Sequence, residues 1–454
     1  MKSVFLSALH KSSGKTLVTI GLSRALIDRG YKVQPFKKGP DYIDPMWLSR
    51  SAKRACYNLD FHTMNKKLIS STFNEISFGV DFALIEGNKG LFDGVDLQGN
   101  DSNAALAKLL GTPVVVVVDT RGMTRGVAPV LLGYQAFDKN LLIAGVILNQ
   151  VGGSRHEQKL RASIENYTDV PIIGAIGQHK EMSISERHLG LIPINEAQEV
   201  DNSISNIAKI VKEDIDLDFL ETIARSASNN PLKKKNCQNL TSNIRIAIAC
   251  DNAFGFYYQD DLEAFKQNGA TLVPFNTLSD TSLPDADGLF IGGGFPETHS
   301  SLLEKNKSLR EDIKNRLISG MPAYAECGGL MYLSRSLTWK GITKQMVGII
   351  PGDIIMQQKP VGRGYVNLNE TDKYPWGIGT RGNVQAHEFH YASLENLPKN
   401  ITFAYSVKRG YGINGTHDGI VVDNLLASFS HQRNIGENNW VERFTSFVRN
   451  NKGT

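Results

Sequence analysis

Three groups of residues in this chain have the types and spacing to do chemistry. The first is at the start, where Ser3-Val4-Phe5-Leu6-Ser7-Ala8 runs into Leu9-His10-Lys11-Ser12-Ser13-Gly14-Lys15-Thr16, and a helix-compatible stretch follows to Arg29. Strand, loop and helix in that order form an anion site, because the loop N–H groups and the positive helix end face one spot. Ser13 and Gly14 would cradle phosphate, Lys15 would reach the β- and γ-phosphates, and the Thr16 hydroxyl would hold Mg²⁺. The usual phosphate-loop pattern begins with glycine where this chain has Leu9. The second group follows two further apolar runs: Lys37-Lys38-Gly39-Pro40-Asp41-Tyr42-Ile43-Asp44-Pro45, and Glu86-Gly87-Asn88-Lys89-Gly90-Leu91-Phe92-Asp93-Gly94. Phosphoryl transfer needs carboxylates for Mg²⁺ and cations for the transferred group. Asp41, Asp44, Glu86 and Asp93 supply the former, Lys15 and Lys37 the latter, although Asp93-Gly94 also reads as ordinary turn chemistry.

The third group lies far downstream. Met321 to Ala325 is strand-like and leads through Glu326 into Cys327-Gly328-Gly329 and a helix-compatible stretch. A nucleophile on a tight strand-to-helix turn is exposed, beside a helix N-terminus that lowers a thiol pKa. Upstream, Phe290-Ile291-Gly292-Gly293-Gly294 is a strand ending in glycines, so N–H groups of Gly293, Gly294 and Gly328 are the expected oxyanion hole. A thiol nucleophile needs a base, and His431 follows the apolar run Leu425–Phe429, with His387 and His390 as competitors. Cys56, Cys237 and Cys250 read as buried small apolar residues.

These groups require elements to hold them. From Ser3 to about Ala224 apolar runs alternate with helical patterns. Strands are expected at 3–8, 32–36, 82–86, 113–118, 141–148 and 171–175, and helices at 15–29, 102–110, 125–137, 155–167 and 201–211. Such alternation means βαβ units and a mostly parallel sheet, with ligands at the carboxyl strand ends. Residues 226–243 are poor in large apolar side chains and serve as a linker between domains 1–225 and 244–454. A second α/β domain restarts with strands at 244–250, 271–274, 288–291 and 322–325 and a helix at 258–268. At 454 residues, 41% hydrophobic, 21% charged and net charge +4, the chain reads as a globular protein with no call for nucleic acid or a membrane surface. Scattered cysteines without C-x-x-C, and an N-terminus entering a strand directly, suit the cytoplasm.

Taken together, Lys37-x-Gly-Pro-Asp-Tyr-Ile-Asp-Pro, Asn58-Leu59-Asp60, Glu86-Gly87-x-x-Gly-Leu-Phe-Asp-Gly94 and Gly145-Val-Ile-Leu-Asn149 resemble the cobyrinic acid a,c-diamide synthase family. Its N-terminal domain is similar to dethiobiotin synthetase, and its phosphate loop is one residue longer than the usual pattern, with Ala8 and Ser12 here replacing family glycines. Leu426-Ala427-Ser428-Phe429-Ser430-His431 matches the motif of the family's catalytic histidine. The resemblance implies a P-loop ATPase domain joined to a flavodoxin-like class I glutamine amidotransferase domain. ATP would phosphorylate the a and c acetate carboxylates of the tetrapyrrole cobyrinate, a step of cobalamin biosynthesis. Ammonia released from glutamine through a Cys327 thioester would then displace the phosphate. Asp41, Asp44 and Glu86 match the acidic residues around Mg²⁺, ATP and the carboxylate, with Thr16, Asp44 and Glu86 as metal ligands and Asn149 as an adenine reader. Class I amidotransferases generally add a glutamate after the histidine, where Gln432-Arg433 offers none, so a Cys–His dyad is expected; ammonia that must pass between the sites without escaping implies a closed interface and a homodimer. Asn88-Lys89 leaves open sirohaem in place of cobyrinate, and hydrogenobyrinate is not separable. A regulatory ATPase with a dead second domain is the rival of another class.

Overall fold

A computed structural model of the chain describes residues 1–184, 186–187, 190–228, 243–377 and 382–452. It divides into two compact units, Met1–Lys235 and Asn236–Thr454. Most of the expected linker lies outside the described residues, as does Cys237.

In the first unit the leading apolar run is β1 (Lys2–Ala8), followed by α1 (Lys15–Asp28), β2 (Val33–Lys38) and α2 (Ile43–Ala52). Then come β3 (Tyr57–Leu59), β4 (Phe82–Glu86), β5 (Val114–Asp119), β6 (Ile143–Val151) and β7 (Ile172–Gly177). They form one seven-stranded sheet in the order β3-β2-β4-β1-β5-β6-β7, parallel at every pairing. A sheet covered by helices on both faces needs apolar side chains on both, and β5 (Val-Val-Val-Val-Val-Asp) is buried along its whole length. The chain leaves β1 to one side for β2, β3 and β4 and only later crosses to β5 on the other. The carboxyl end of β1 is therefore the switch point where such sheets bind ligands. Register does the rest: Glu86 on β4 pairs with Lys37 on β2 and with Leu6 on β1. Two of the sequence-predicted groups thus meet at one edge.

The second unit carries a nine-stranded sheet. Ala270–Phe275, Ile244–Ala249, Gly288–Ile291, Ala323–Glu326 and Leu425–Ser428 lie side by side in that order and parallel. His417–Val422, Thr402–Arg409, Gly362–Glu370 and Asn383–His390 extend it antiparallel. The parallel strands alternate between two cores, as period-two side chains must. Leu289, Ile291, Ala323 and Ala325 face Leu309, Ile313 and Leu317 of the helix Lys307–Ile318. Phe290 and Tyr324 stack on the other face, with ring centroids 5.6 Å apart, among Phe265, Trp440 and Phe444. Tyr324 and Glu326 therefore share a face. Cys250 lies just beyond its strand and is exposed, unlike the buried residue expected, because the last inward position is Ala249. No helix among the described residues is long and apolar enough to cross a membrane.

Candidate active sites

In the first unit the phosphate-loop residues and the acidic residues converge on one carboxylate. Glu86 is fully buried at the end of β4. Its Oε1 receives Lys15 Nζ at 2.8 Å, Lys37 Nζ at 2.7 Å and the Thr16 hydroxyl at 2.8 Å. Lys37 also reaches Asp44 at 2.5 Å and stands 3.8 Å from Asp41, and Thr16 donates to Asp44 at 3.3 Å. Charge and burial then oppose each other group by group. Burial raises the Glu86 carboxyl, yet Lys15 and Lys37 bring it down to about 2. Burial lowers Lys37, but Asp44 and Glu86 hold it well above an ordinary lysine. For Lys15 burial prevails and its ammonium is lowered. Asp41 is raised to about 7 by burial and the neighbouring Asp44.

Asp44 opens α2, and its backbone N–H donates to Asp41 Oδ1 at 3.1 Å. Asp41 thus anchors the helix that aims Asp44. Asp93 accepts from the Gly90 N–H at 3.0 Å, which is the turn role. Asn149, near the β6 end, donates through Nδ2 to the Ser13 carbonyl at 2.9 Å and braces the phosphate loop. Ser13 in turn donates to the His10 carbonyl at 2.9 Å. Gly14 has φ +82°, and a Cβ there would stand 2.1 Å from Asn149 Nδ2. A Gly14→Ala variant meets both the left-handed backbone and the clash. We expect its affinity for ATP to fall on the order of 10- to 100-fold, measured by calorimetric titration against the unaltered chain; unchanged affinity would remove this loop from nucleotide binding.

Two observations bear on a cation. Among the described residues no three His, Cys, Asp or Glu side chains are placed to hold a metal by themselves. Magnesium needs no such cage, because one or two carboxylates, water and the nucleotide phosphates suffice. Glu86 Oε2 is buried with no hydrogen-bond partner, beside the Thr16 hydroxyl and Asp44, so the donor set fits a hard divalent ion.

In the second unit Cys327 sits at φ 48°, ψ −101°, between the strand Ala323–Glu326 and the short helix Gly328–Leu333. A non-glycine residue in that region is strained, as the nucleophile of such an elbow commonly is. The neighbours are necessarily small: a Cβ on Gly328 would stand 3.0 Å from the Gly294 N, and one on Gly293 would stand 2.6 Å from His431 Cε1. Gly293, Gly294, Gly328 and His431 thus gather around the elbow. The thiol is only 7% exposed, however, against the expectation of an open position. The glycine-rich turn and Pro296 pack against the neighbouring Gly328.

Burial lowers the pKa of His431, but its interactions with Cys327 and Glu326 outweigh that and raise it to about 10. His387 stacks on it at 4.9 Å, exchanges backbone hydrogen bonds with it, and has Tyr258 Oη 3.2 Å from its Nδ1, a supporting place. His390 stacks on Phe429 at 4.0 Å, with its Nδ1 2.8 Å from the Ala392 carbonyl, and belongs to the core. The strand Phe254–Phe256 pairs antiparallel with Gly293–Gly294 and fixes the glycine turn. Sequence reasoning missed Glu326, whose Oε2 lies 3.4 Å from His431 Nδ1. It also missed Asp418, which accepts from the Phe429 and Ser430 N–H groups at 3.0 Å each and shapes the turn carrying His431.

Fold and sites together define a nucleotide-binding domain joined to a cysteine glutamine amidotransferase domain. Known families agree with both halves: residues 10–192 match the CobQ/CobB/MinD/ParA nucleotide binding domain, and residues 245–438 match the CobB/CobQ-like glutamine amidotransferase domain. Cobyrinate a,c-diamide synthase of Magnetococcus marinus is 45% identical, over 98% of this chain and 97% of that protein. The proteins of that name from Methanosarcina acetivorans and Archaeoglobus fulgidus are 41% and 38% identical, over 95% and 97% of this chain and 92% and 96% of theirs. The chain belongs to the cobyrinate a,c-diamide synthase family.

Proposed function

We propose that this chain is an ATP- and glutamine-dependent ligase that converts the a and c acetate carboxylates of cobyrinate to amides. The observation that carries the reading is the co-occurrence, in a chain collinear with its relatives, of a lysine–carboxylate phosphate site and a Cys–His elbow. In the first domain Lys15 and Lys37 offset charge on the γ-phosphoryl group, and a substrate carboxylate oxygen attacks its phosphorus as ADP leaves. Asp41, raised to about 7, and Asp44, paired with Lys37, would receive the substrate carboxylate. Glu86, Asp44 and Thr16 would hold Mg²⁺, which supplies charge neutralisation at the β- and γ-oxygens. In the second domain the Cys327 sulfur attacks the glutamine amide carbon, and N–H groups of Gly293, Gly294 and Gly328 receive the oxyanion. His431 passes a proton to the departing ammonia, then takes one from the water that hydrolyses the thioester to glutamate. Ammonia attacks the acyl phosphate, phosphate leaves, and an amide remains. Functional coupling of this kind is the reason to expect a homodimer or another closed assembly, and cytoplasmic residence suits its substrates.

The test is glutamine-dependent ADP release with cobyrinate, hydrogenobyrinate and sirohaem offered separately and the products weighed. Each conversion of carboxylic acid to amide lowers the mass by about one unit, so two amidations of cobyrinate are expected to lower it by about two. Amidation of sirohaem alone would move the assignment to that macrocycle, and absence of ATP turnover with all three would support a regulatory ATPase.

A further inference from the structure

The acid expected after His431 in class I amidotransferases is missing from the sequence, but the fold brings another to the same ring. The strands Ala323–Glu326 and Leu425–Ser428 are parallel neighbours, with Glu326 in register with Ser428. Cys327 N–H donates to the Ser428 carbonyl at 2.7 Å, which ties the two strand ends together. Three residues after Ser428 comes His431, so its ring falls over the end of the strand that carries Glu326. We propose that Glu326 is the positioning residue of this glutaminase, holding His431 through Nδ1 so that Nε2 serves the Cys327 sulfur. The inference rests on reading Cys327 and His431 as the glutaminase pair.

The geometry is specific. Glu326 is 2% exposed. Its Oε1 accepts from the Tyr324 hydroxyl at 2.7 Å and from the Gln432 backbone N–H at 2.8 Å, while Oε2 lies 3.4 Å from His431 Nδ1. One oxygen is thus fixed by two donors and the other is aimed at the imidazole. The Gln432 side chain extends the brace by donating to the Tyr324 and Tyr405 hydroxyls at 3.0 and 2.9 Å. A contact of 3.4 Å is long for a hydrogen bond, and such contacts commonly tighten when substrate binds. A carboxylate so placed selects the Nδ1–H tautomer and favours the imidazolium.

Other charged or titratable groups around the ring are Cys327, on the opposite side, and His387, stacked with its Nδ1 near the Tyr258 hydroxyl. Behind Tyr258 the Arg433–Asp260 ion pair is closed at 2.8 Å, and Asp261 accepts from the Asn434 N–H. Among the described carboxylates, Glu326 is at ion-pair distance from His431, at 3.4 Å.

The decisive variant is Glu326→Gln, which keeps the size and removes the charge. Glutamine hydrolysis is expected to lose on the order of 100-fold in kcat with KM for glutamine changed by less than about threefold. Amidation driven by free ammonia should persist. Iodoacetamide labelling of Cys327, followed on its own peptide because Cys250 is the more exposed thiol, should show its acid limb displaced upward by about one pH unit or more. Glu326→Asp, which retains the charge, should restore most of the pH profile. An unshifted profile with wild-type kcat in Glu326→Gln overturns the proposal. A test that does not depend on the variant folding is ¹⁵N-histidine NMR of the unaltered protein titrated into alkali, in which His431 should be doubly protonated at neutral pH and should keep its proton on Nδ1 when the ring becomes neutral. A neutral ring that keeps its proton on Nε2 instead overturns it. A wild-type chain that neither hydrolyses glutamine nor alkylates at Cys327 would instead overturn the glutaminase pair, and the proposal with it.

Discussion

Cys327→Ser is expected to abolish glutamine-dependent amidation, by on the order of a thousandfold or more, while amidation driven by free ammonia continues at the unaltered rate. The size follows from how the thiol is made reactive. Cys327 owes its position to a strained backbone at φ 48° and its polarisation to His431, whose pKa is raised to about 10. A serine hydroxyl in the same place is far less acidic, so the same imidazole leaves it protonated and the nucleophile is lost. Sparing of the ammonia reaction follows from the architecture: Lys15, Lys37, Asp44 and Glu86 belong to a compact unit that does not contain Cys327. The check is paired initial rates of ADP formation with glutamine and with ammonium chloride. Equal loss with both nitrogen sources would show that Cys327 supports the whole fold rather than the thioester.

The parts of the fold that were legible are those whose side chains are buried on both faces of a sheet. Val114–Val118 has little alternative to a central parallel strand, and the six strands expected in the first domain all occur within the large sheet. The seventh, Tyr57–Leu59, is three residues at an edge and offers no period to read. The helix Ile43–Ala52 was hidden because its first turn is the motif Ile43-Asp44-Pro45, which reads as a polar strand end. In the second domain the antiparallel half went unseen. Gly362–Glu370 buries Val366 and Leu368 while Arg363 and Gly364 face water, a weak signal for a strand one face of which is solvated.

The sites were more legible than the fold, since their chemistry is concentrated in short segments. Lys15, Thr16, Lys37, Asp44 and Glu86 meet within hydrogen-bond distances. Asn149 was singled out by its place near a strand end, and its amide donates to the Ser13 carbonyl of the phosphate loop. Glu326 was overlooked although it repeats the feature that singled out Glu86: a carboxylate ending an otherwise apolar, buried strand. Attention to residues after the histidine hid an acid that comes from the neighbouring strand, because register between parallel strands is a long-range property.

Glu86→Gln is the second large effect, and it should separate chemistry from stability. Three donors converge on Glu86 Oε1, and Oε2 remains buried without a partner. A neutral amide cannot balance Lys15 and Lys37 together, nor serve a divalent cation as a carboxylate does. ATP-dependent amidation should fall on the order of 10²- to 10³-fold with either nitrogen source, while glutamine hydrolysis persists. Removing one member of a buried charged cluster also costs about 3 kcal/mol of stability, moderated here because Lys37 keeps Asp44. The pH dependence identifies the origin of that cost. With Glu86 held at about 2 against an ordinary glutamate of 4.5, its contribution is fully present above pH 4.5 and is lost as pH falls through about 2. The stability gap between wild type and variant should therefore be constant near neutrality and close progressively in acid. Urea unfolding of both proteins across that range measures it. A gap that stays open below the folded-state value would mean that the loss comes from altered packing, and that the lysine–carboxylate cluster is not what holds the phosphate site in place.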